Sequence, residues 1–252
     1  MTQPRWIELD GVVNMRDVGG LPTRDGGRLR ERRLIRSDNL QDLTESDVAH
    51  VVDVLGVTDV VDLRTHDELD ETGPGPLRRT AVAHHHHTFF RTVGGDLRDL
   101  MVLREEEQPV KDASYWSAHY RGYLEHRPDS VAGALGRVAD AKGAALVHCA
   151  AGKDRTGTIV ALALSVAGVP DEEIVADYVL TAERLPRIIE RLQGTGFYSR
   201  LRDRPMSEQE PVPEAITGLL DSVAEHGGAR AWLRDQGWSA EQVERLAARL
   251  RD

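Results

Sequence analysis

The chain has 252 residues, 40% hydrophobic and 29% charged, a composition suited to a soluble globular protein with a full core. Its formal net charge of -10 argues against general nucleic-acid binding and against attraction to an anionic membrane surface. A single cysteine excludes an internal disulfide framework and leaves one thiol, either buried and inert or reactive. Met1 to Trp6 lacks an apolar signal core, and no apolar run reaches the roughly 18 residues of a membrane span. The expectation is a cytoplasmic chain without stable membrane insertion.

In chain order, Arg5 to Val13 predicts a first strand that enters the loop Asn14 to Leu21. Gly19 and Gly20 mark a turn there, and Asn14, Arg16 and Asp17 form a polar cluster before it, either a solvated turn or part of a site. Asp25-Gly26-Gly27 predicts a hairpin turn between two short strands, the second being Leu34 to Arg36. Thr44 is a candidate cap for a helix whose Val48, Val51, Val52 and Leu55 share one face and which Gly56 ends. Val57 to Leu63 is rich in β-branched residues and reads as a strand. It carries Asp62 and Arg64 to its carboxyl end, the edge where open α/β sheets place their ligand crevices. On its own, Asp62 reads equally well as a cap or turn residue.

His84 to His87 raise the question of a metal, because imidazole is a common zinc ligand. Neighbours in a strand point to opposite faces, and no carboxylate or thiol completes a recognisable spacing, so a polar strand end bordering the site is the preferred reading. Residues from about 89 to 125 are expected to include a lid-like segment. Within it, Tyr115, Trp116, His119, Tyr120 and Tyr123 recur at helical spacing and read mainly as core. Another helix begins at Ser130, with Val131, Leu135 and Val138 on one face.

The most informative stretch follows. Gly143 to Val147 is a short apolar run ending in a β-branched residue, and Thr158 to Leu164 is an apolar helix stopped by Gly168 and Pro170. Between them runs His148-Cys149-Ala150-Ala151-Gly152-Lys153-Asp154-Arg155-Thr156-Gly157. A loop from a strand into a helix N-terminus aims several N–H groups and the positive end of the helix dipole at one spot, which suits a phosphate-sized anion. Lys153, Arg155 and the loop amides would all favour a thiolate at Cys149. Arg155, six positions on, can fold back and offer a planar guanidinium to two phosphate oxygens.

Downstream, Pro170 to Glu173 opens a helix with acidic residues suited to the dipole, and a second helix starts near Pro186. Residues 181–213 include a polar excursion, Gly194 to Pro213, expected near the active face. Helices at Glu214 to Glu225 and Ala229 to Gln236 follow, and a last one starts at Ser239 with a capping box completed by Gln242. The whole pattern predicts a single α/β domain over 1–252, with a central, mostly parallel sheet flanked by helices.

The ten residues from His148 to Gly157 contain Cys-x5-Arg-Thr and resemble the signature loop of cysteine-dependent phosphatases, more narrowly a bacterial tyrosine and dual-specificity group with mycobacterial and listerial members. Asn14-x-Arg16-Asp17-x-Gly19-Gly20, Arg36-Ser37, Asp62-Leu63-Arg64 and Gly227-Gly228-Ala229-x-x-Trp232-Leu233 extend the resemblance in the same order. The resemblance implies phosphomonoester hydrolysis through a phosphocysteine on Cys149, with Ala150, Ala151, Gly152, Lys153 and Arg155 binding phosphate. It implies supporting roles for His148, Thr156, Asn14, Arg16, Asp17 and Arg64, with Thr156 donating to the cysteine sulfur. It also implies phosphoprotein or phospholipid substrates, no metal and no cofactor.

The general acid stays open between Asp154 and Asp62. No tryptophan is followed by Pro-Asp, as it is in the mobile acid loop of eukaryotic tyrosine phosphatases. Asp154 is preferred because it lies in the anion loop; the other carboxylate is expected to anchor Arg155 or Lys153. A catalytically silent phosphate-binding module is the alternative function. Arsenate reduction would need further cysteines, which the chain lacks. Oligomeric state has no signature in the sequence.

Overall fold

The computed structural model describes residues 6–90, 112–196, 198 and 205–252. Its sheet contains β1 (Arg16–Asp17), β2 (Leu34–Ser37), β3 (Val57–Asp62), β4 (Ala83–His86) and β5 (Ala144–His148) in the order β1-β2-β5-β3-β4. Only the β1–β2 pair is antiparallel. β5 is central, and every one of its residues is buried, so it reads as a continuous apolar run rather than an alternating one. Its alternate side chains feed two cores. Leu146 packs with Ile35, Val60, Val51 and Leu77 on one face, while Ala145 and Val147 join Val61, Leu34 and the helices of the other.

The helices are α1 (Glu45–Ala49), continuing as a wider π turn over His50–Val54, α2 (His66–Thr72), α3 (Ala113–His126), α4 (Pro128–Asp140), α5 (Asp154–Val166), α6 (Asp171–Val179), α7 (Leu185–Gln193), α8 (Pro213–Glu225), α9 (Ala229–Asp235) and α10 (Ala240–Leu250). α5 is buried nearly all round, as its apolar sequence requires. Thr44 with Asp47, Thr65 with Glu68 and Ser239 with Gln242 form reciprocal capping boxes that satisfy orphan N–H groups at α1, α2 and α10. Asp62 and Ser37 both lie beside His148 in register, so the carboxyl ends of β2, β3 and β5 meet at one edge. The site forms there.

Two local expectations change. The stretch from Trp6 to Val13 makes only a bridge between Trp6 and Arg16 and a bond from Ile7 N–H to Met15 O of 3.0 Å; it is not a strand. Its backbone donors go instead to buried carboxylates. Gly11 N–H donates to Asp47 at 2.8 Å, and Asn14 N–H donates to Asp38 at 3.0 Å. Arg5 lies outside the described residues. The turn at Asp25 to Gly27 exists, but a single bridge, Pro22 to Arg28, replaces the hairpin, flanked by bonds from Leu29 N–H to Leu21 O at 2.9 Å and from Thr23 N–H to Gly27 O at 3.0 Å. β2 pairs with β1 and β5.

The histidine run divides its contacts. His85 Nε2 lies 2.8 Å from Asp59 Oδ1, His86 Nε2 lies 2.8 Å from Arg64 O, and His87 packs against Gly133. Of the anticipated lid segments, residues 91–111 and 197 and 199–204 lie outside the described residues. α3 packs mainly on α8, with Tyr115, Tyr120 and Tyr123 buried. Among the described residues, no helix is long and apolar enough to cross a membrane.

Candidate active site

β5 ends at His148, and α5 begins at Asp154, so Cys149 to Lys153 form the connecting loop. Three successive carbonyls of this loop are tied outward. Ala150 O accepts from Asn39 N–H at 2.9 Å, Ala151 O from Asn14 Nδ2 at 2.9 Å, and Gly152 O from Arg36 Nη2 at 2.7 Å. In a trans peptide the following N–H points opposite to the carbonyl, so the amides of Ala151, Gly152 and Lys153 face inward as an anion nest. Gly152 has φ +66°, and a Cβ there would lie 2.5 Å from Ser37 O. Only glycine fits the bend.

A buried ionic network stands behind the loop. Arg16 Nε donates to Asp177 Oδ1 at 3.0 Å, and Arg36 Nη1 donates to Asp177 Oδ2 at 2.6 Å. Arg16 Nη1 also donates to Asn14 Oδ1 at 2.6 Å, completing a path from Asp177 to the Ala151 carbonyl. Burial would raise the Asp177 pKa, but Arg16 and Arg36 hold it down at about 2. Burial, with Arg36 nearby, lowers Arg16 to about 10 despite Asp177. Asp177 carries no sequence signal that separates it from other acidic residues on a helix.

A cavity of about 130 Å³ opens over the loop. Cys149, Ala150, Ala151, Lys153, Asp154 and Arg155 line its floor, with Trp116, Leu185, Ile189 and Leu192 along an apolar wall. Cys149 is only 1% exposed. Arg155 is gripped by Glu68, with Nη1 2.6 Å from Oε2 and Nη2 2.8 Å from Oε1, and it donates to Leu63 O at 3.2 Å. Glu68, like Asp177, is not singled out by the sequence. Its available signal was the capping box Thr65-x-x-Glu68, which hides in an acidic helix. Lys153 Nζ donates to Gln209 O at 2.6 Å and lies 4.8 Å above the Trp116 ring.

The two candidate acids part company. Asp154 lines the cavity; its Oδ1 accepts from the Tyr120 hydroxyl at 2.5 Å and lies 3.5 Å from Lys153 Nζ. Burial works to raise its pKa, but Lys153 and the Tyr120 hydroxyl outweigh it and the net direction is down. Asp62 does not line the cavity; Arg64 grips it through Nε at 3.0 Å and Nη2 at 2.6 Å, and His148 Nε2 lies 3.6 Å away. Although burial opposes ionisation, His148 and Arg64 hold Asp62 well below the usual carboxylate range. Asp62 therefore anchors Arg64 and His148, not Arg155 or Lys153 as expected.

Of two further supporting residues, Thr156 is the one corrected. Asp17 accepts from Gly19 N–H at 2.8 Å and from Arg32 N–H at 2.7 Å, so it staples its own turn and does not reach the anion loop through these bonds. The Thr156 hydroxyl is buried without a hydrogen-bond partner among the described residues, and no bond to Cys149 forms. Position 156 is already inside the first turn of α5, where helix packing sets the direction of its hydroxyl. His148 Nδ1 meets Cys149 O at 3.2 Å, in keeping with an orienting place beside the loop.

Burial lowers both His87 and His148 to about 4, below the ordinary 6.5. A folded-state pKa below the unfolded one means that acid favours unfolding, so stability is complete above about 6.5 and is lost as pH falls toward 4. Thermal unfolding followed by circular dichroism should show the midpoint declining across that window, with a shallower slope in His148→Gln.

A lone thiol delivered by a parallel strand into an amide-lined loop, ahead of a helix and with an arginine six residues on, defines the class of cysteine-dependent phosphatase-type hydrolases. The chain belongs to the tyrosine phosphatase family, whose family model matches residues 7–252. It is 30% identical over 275 residues to triple specificity protein phosphatase PtpB of Mycobacterium tuberculosis, covering 95% of this chain and 96% of that one. A tyrosine-protein phosphatase of Nostoc commune is 30% identical over 226 residues, covering 86% of this chain and 73% of that one. A protein of Cupriavidus necator described as a tyrosine-protein phosphatase is 27% identical over 241 residues, covering 93% and 80%.

Proposed function

We propose that the chain, acting as a single domain, hydrolyses phosphomonoesters through a phosphocysteine intermediate. The observation that carries this reading is that Cys149, Arg155 and Asp154 line one cavity whose floor is a loop with its carbonyls tied away. In the first step the Cys149 thiolate attacks phosphorus in line, the ester P–O bond breaks with its electron pair leaving on oxygen, and Asp154 supplies the proton. In the second, water attacks phosphorus, the P–S bond breaks to regenerate the thiolate, and Asp154 accepts the water's proton. Arg155 and the inward amides hold the equatorial oxygens, where charge is greatest in the transition state.

Phosphotyrosine is the primary substrate in this reading. The apolar wall of Trp116, Leu185 and Ile189 suits an aryl group above the nest. Lys153 adds positive charge beside Arg155, and PtpB is described as triple specificity, so phosphoserine, phosphothreonine and phosphoinositides belong to the same proposal. Ranking phosphopeptides and phosphoinositides by kcat/KM tests that breadth.

The acid assignment has a sharper test. Asp154→Asn should cut turnover of phenyl phosphate, a poor leaving group, by about 100-fold while p-nitrophenyl phosphate loses far less. Asp62→Asn should lower both alike, through the loop. Equal losses for Asp154→Asn on the two substrates would transfer the acid role elsewhere.

A further inference from the structure

Behind Asp154 lies a pair of buried hydroxyls that the proposed reaction does not yet use. Tyr120, in α3, donates its hydroxyl proton to Asp154 Oδ1 at 2.5 Å, and the same hydroxyl lies 2.7 Å from the hydroxyl of Tyr178, in α6. Neither ring lines the cavity, and their relative exposures are 0% and 2%. Neither phenol can therefore serve as the acid itself. Tyr120 is held from several sides, stacking on Tyr123 with ring centroids 6.1 Å apart and meeting Tyr178 edge-on at 6.1 Å. Tyr178 in turn packs on Gly157, where an added Cβ would lie 3.1 Å from its ring.

We propose that Tyr120, supported by Tyr178, is a positioning residue that orients the Asp154 carboxyl for proton transfer and sets the pH at which it carries its proton. The proposal rests on Asp154 being the general acid. A bond to Oδ1 fixes one oxygen of the carboxyl and leaves Oδ2 for the leaving group; Oδ2 has no hydrogen-bond partner among the described residues. A chain from Tyr178 to Tyr120 to Asp154 uses each hydroxyl proton once, so Tyr120 accepts from one neighbour while donating to the other. Donation to the carboxylate favours its ionised form, whereas loss of that donor favours the protonated form.

The groups facing Asp154 are Lys153 and Arg155 from its own loop and first turn, His119, Tyr120 and Tyr123 from α3, and Tyr178 from α6. The cations and Tyr120 lower its pKa, while burial raises it. Both Tyr120 and Tyr178 are themselves pushed up, first by burial and then by the Asp154 charge, and so they keep their protons across the working range. The tyrosines thus act as fixed donors rather than titrating partners. Their removal should shift Asp154 without adding a new ionisation.

The test compares wild type, Tyr120→Phe, Tyr178→Phe, Asp154→Asn and the Tyr120→Phe/Asp154→Asn double variant on phenyl phosphate and p-nitrophenyl phosphate across pH. In Tyr120→Phe, the limb on which phenyl phosphate turnover falls as Asp154 ionises should move to higher pH by about one unit. Its limiting rate on phenyl phosphate should drop by about tenfold, with a much smaller loss on p-nitrophenyl phosphate. Tyr178→Phe should shift the same limb in the same direction by less, and the double variant should be no slower than Asp154→Asn alone.

A Tyr120→Phe profile superimposed on wild type, or one that loses the same factor on both substrates, overturns the positioning role while leaving the acid intact. Additive losses in the double variant do the same. Should Asp154→Asn itself fail to discriminate the two leaving groups, the acid assignment falls, and the tyrosine role falls with it. If Tyr120→Phe does not fold, Tyr178→Phe decides the matter by the direction of its shift: no upward movement overturns the proposal.

Discussion

Cys149→Ser should lower turnover of p-nitrophenyl phosphate by roughly 10⁴-fold or more, assayed with a chelator and a reductant present in both proteins. A serine hydroxyl is a far weaker acid than a thiol and a far weaker nucleophile at neutral pH. Most of the phosphate-binding apparatus survives the change, because the nest is backbone and Arg155 is held by Glu68 at 2.6 and 2.8 Å. Inorganic phosphate should therefore still bind, as read by calorimetry or by a rise in unfolding temperature. This separates loss of the nucleophile from loss of the site. Turnover unchanged by the serine would remove Cys149 from the chemistry, whereas phosphate binding without turnover in the wild type would favour the silent binding module.

Asp177→Asn should destabilise the fold by about 3 kcal/mol or more, measured by urea denaturation, because it leaves two buried guanidiniums without their counter-charge. The side chains of Arg16 and Asp177 are 1% and 4% exposed, so water cannot take over the lost interaction. The surface pair Arg24 with Asp171, 58% and 59% exposed, gives the contrast: Asp171→Asn should cost less than about 1 kcal/mol. The kinetic consequence should follow the structural one. Arg36 holds both Asp177 and Gly152 O, at 2.6 and 2.7 Å, so a loosened Arg36 frees one of the outward-tied carbonyls and the inward amide that follows it. Phosphate affinity should weaken along with stability. A variant as stable as wild type would mean that Arg16 and Arg36 find other partners and that Asp177 is dispensable to the loop.

Much of the local chemistry was legible in the sequence. The run from His148 to Gly157 announces its strand, loop and helix because each transition rests on neighbouring residues: an apolar run, a glycine at positive φ and an apolar helix. Thr44 and Ser239 declare their caps for the same reason, since each satisfies an N–H only three residues away. The first strand failed for the opposite reason. Its donors are taken by the Asp38 and Asp47 carboxylates, whose positions follow from tertiary packing rather than from local periodicity.

By itself, the sequence determined the setting of Cys149, the order of strands and helices that brings it to a strand-to-helix loop, and the class of protein to which those residues belong. Tertiary structure alone decided which carboxylate reaches the cavity and which is consumed as an anchor. Asp62 and Asp154 are both acidic residues at element ends, and nothing near them in sequence separates a carboxylate gripped by Arg64 from one held by Tyr120. The partners that govern the site come from far along the chain: Glu68 lies 87 residues from Arg155, and Asp177 lies 141 from Arg36. Local propensity reads neighbours within a turn or a strand, whereas the charge and hydrogen bonding that set an acid's protonation are decided by whatever the folded chain packs against it.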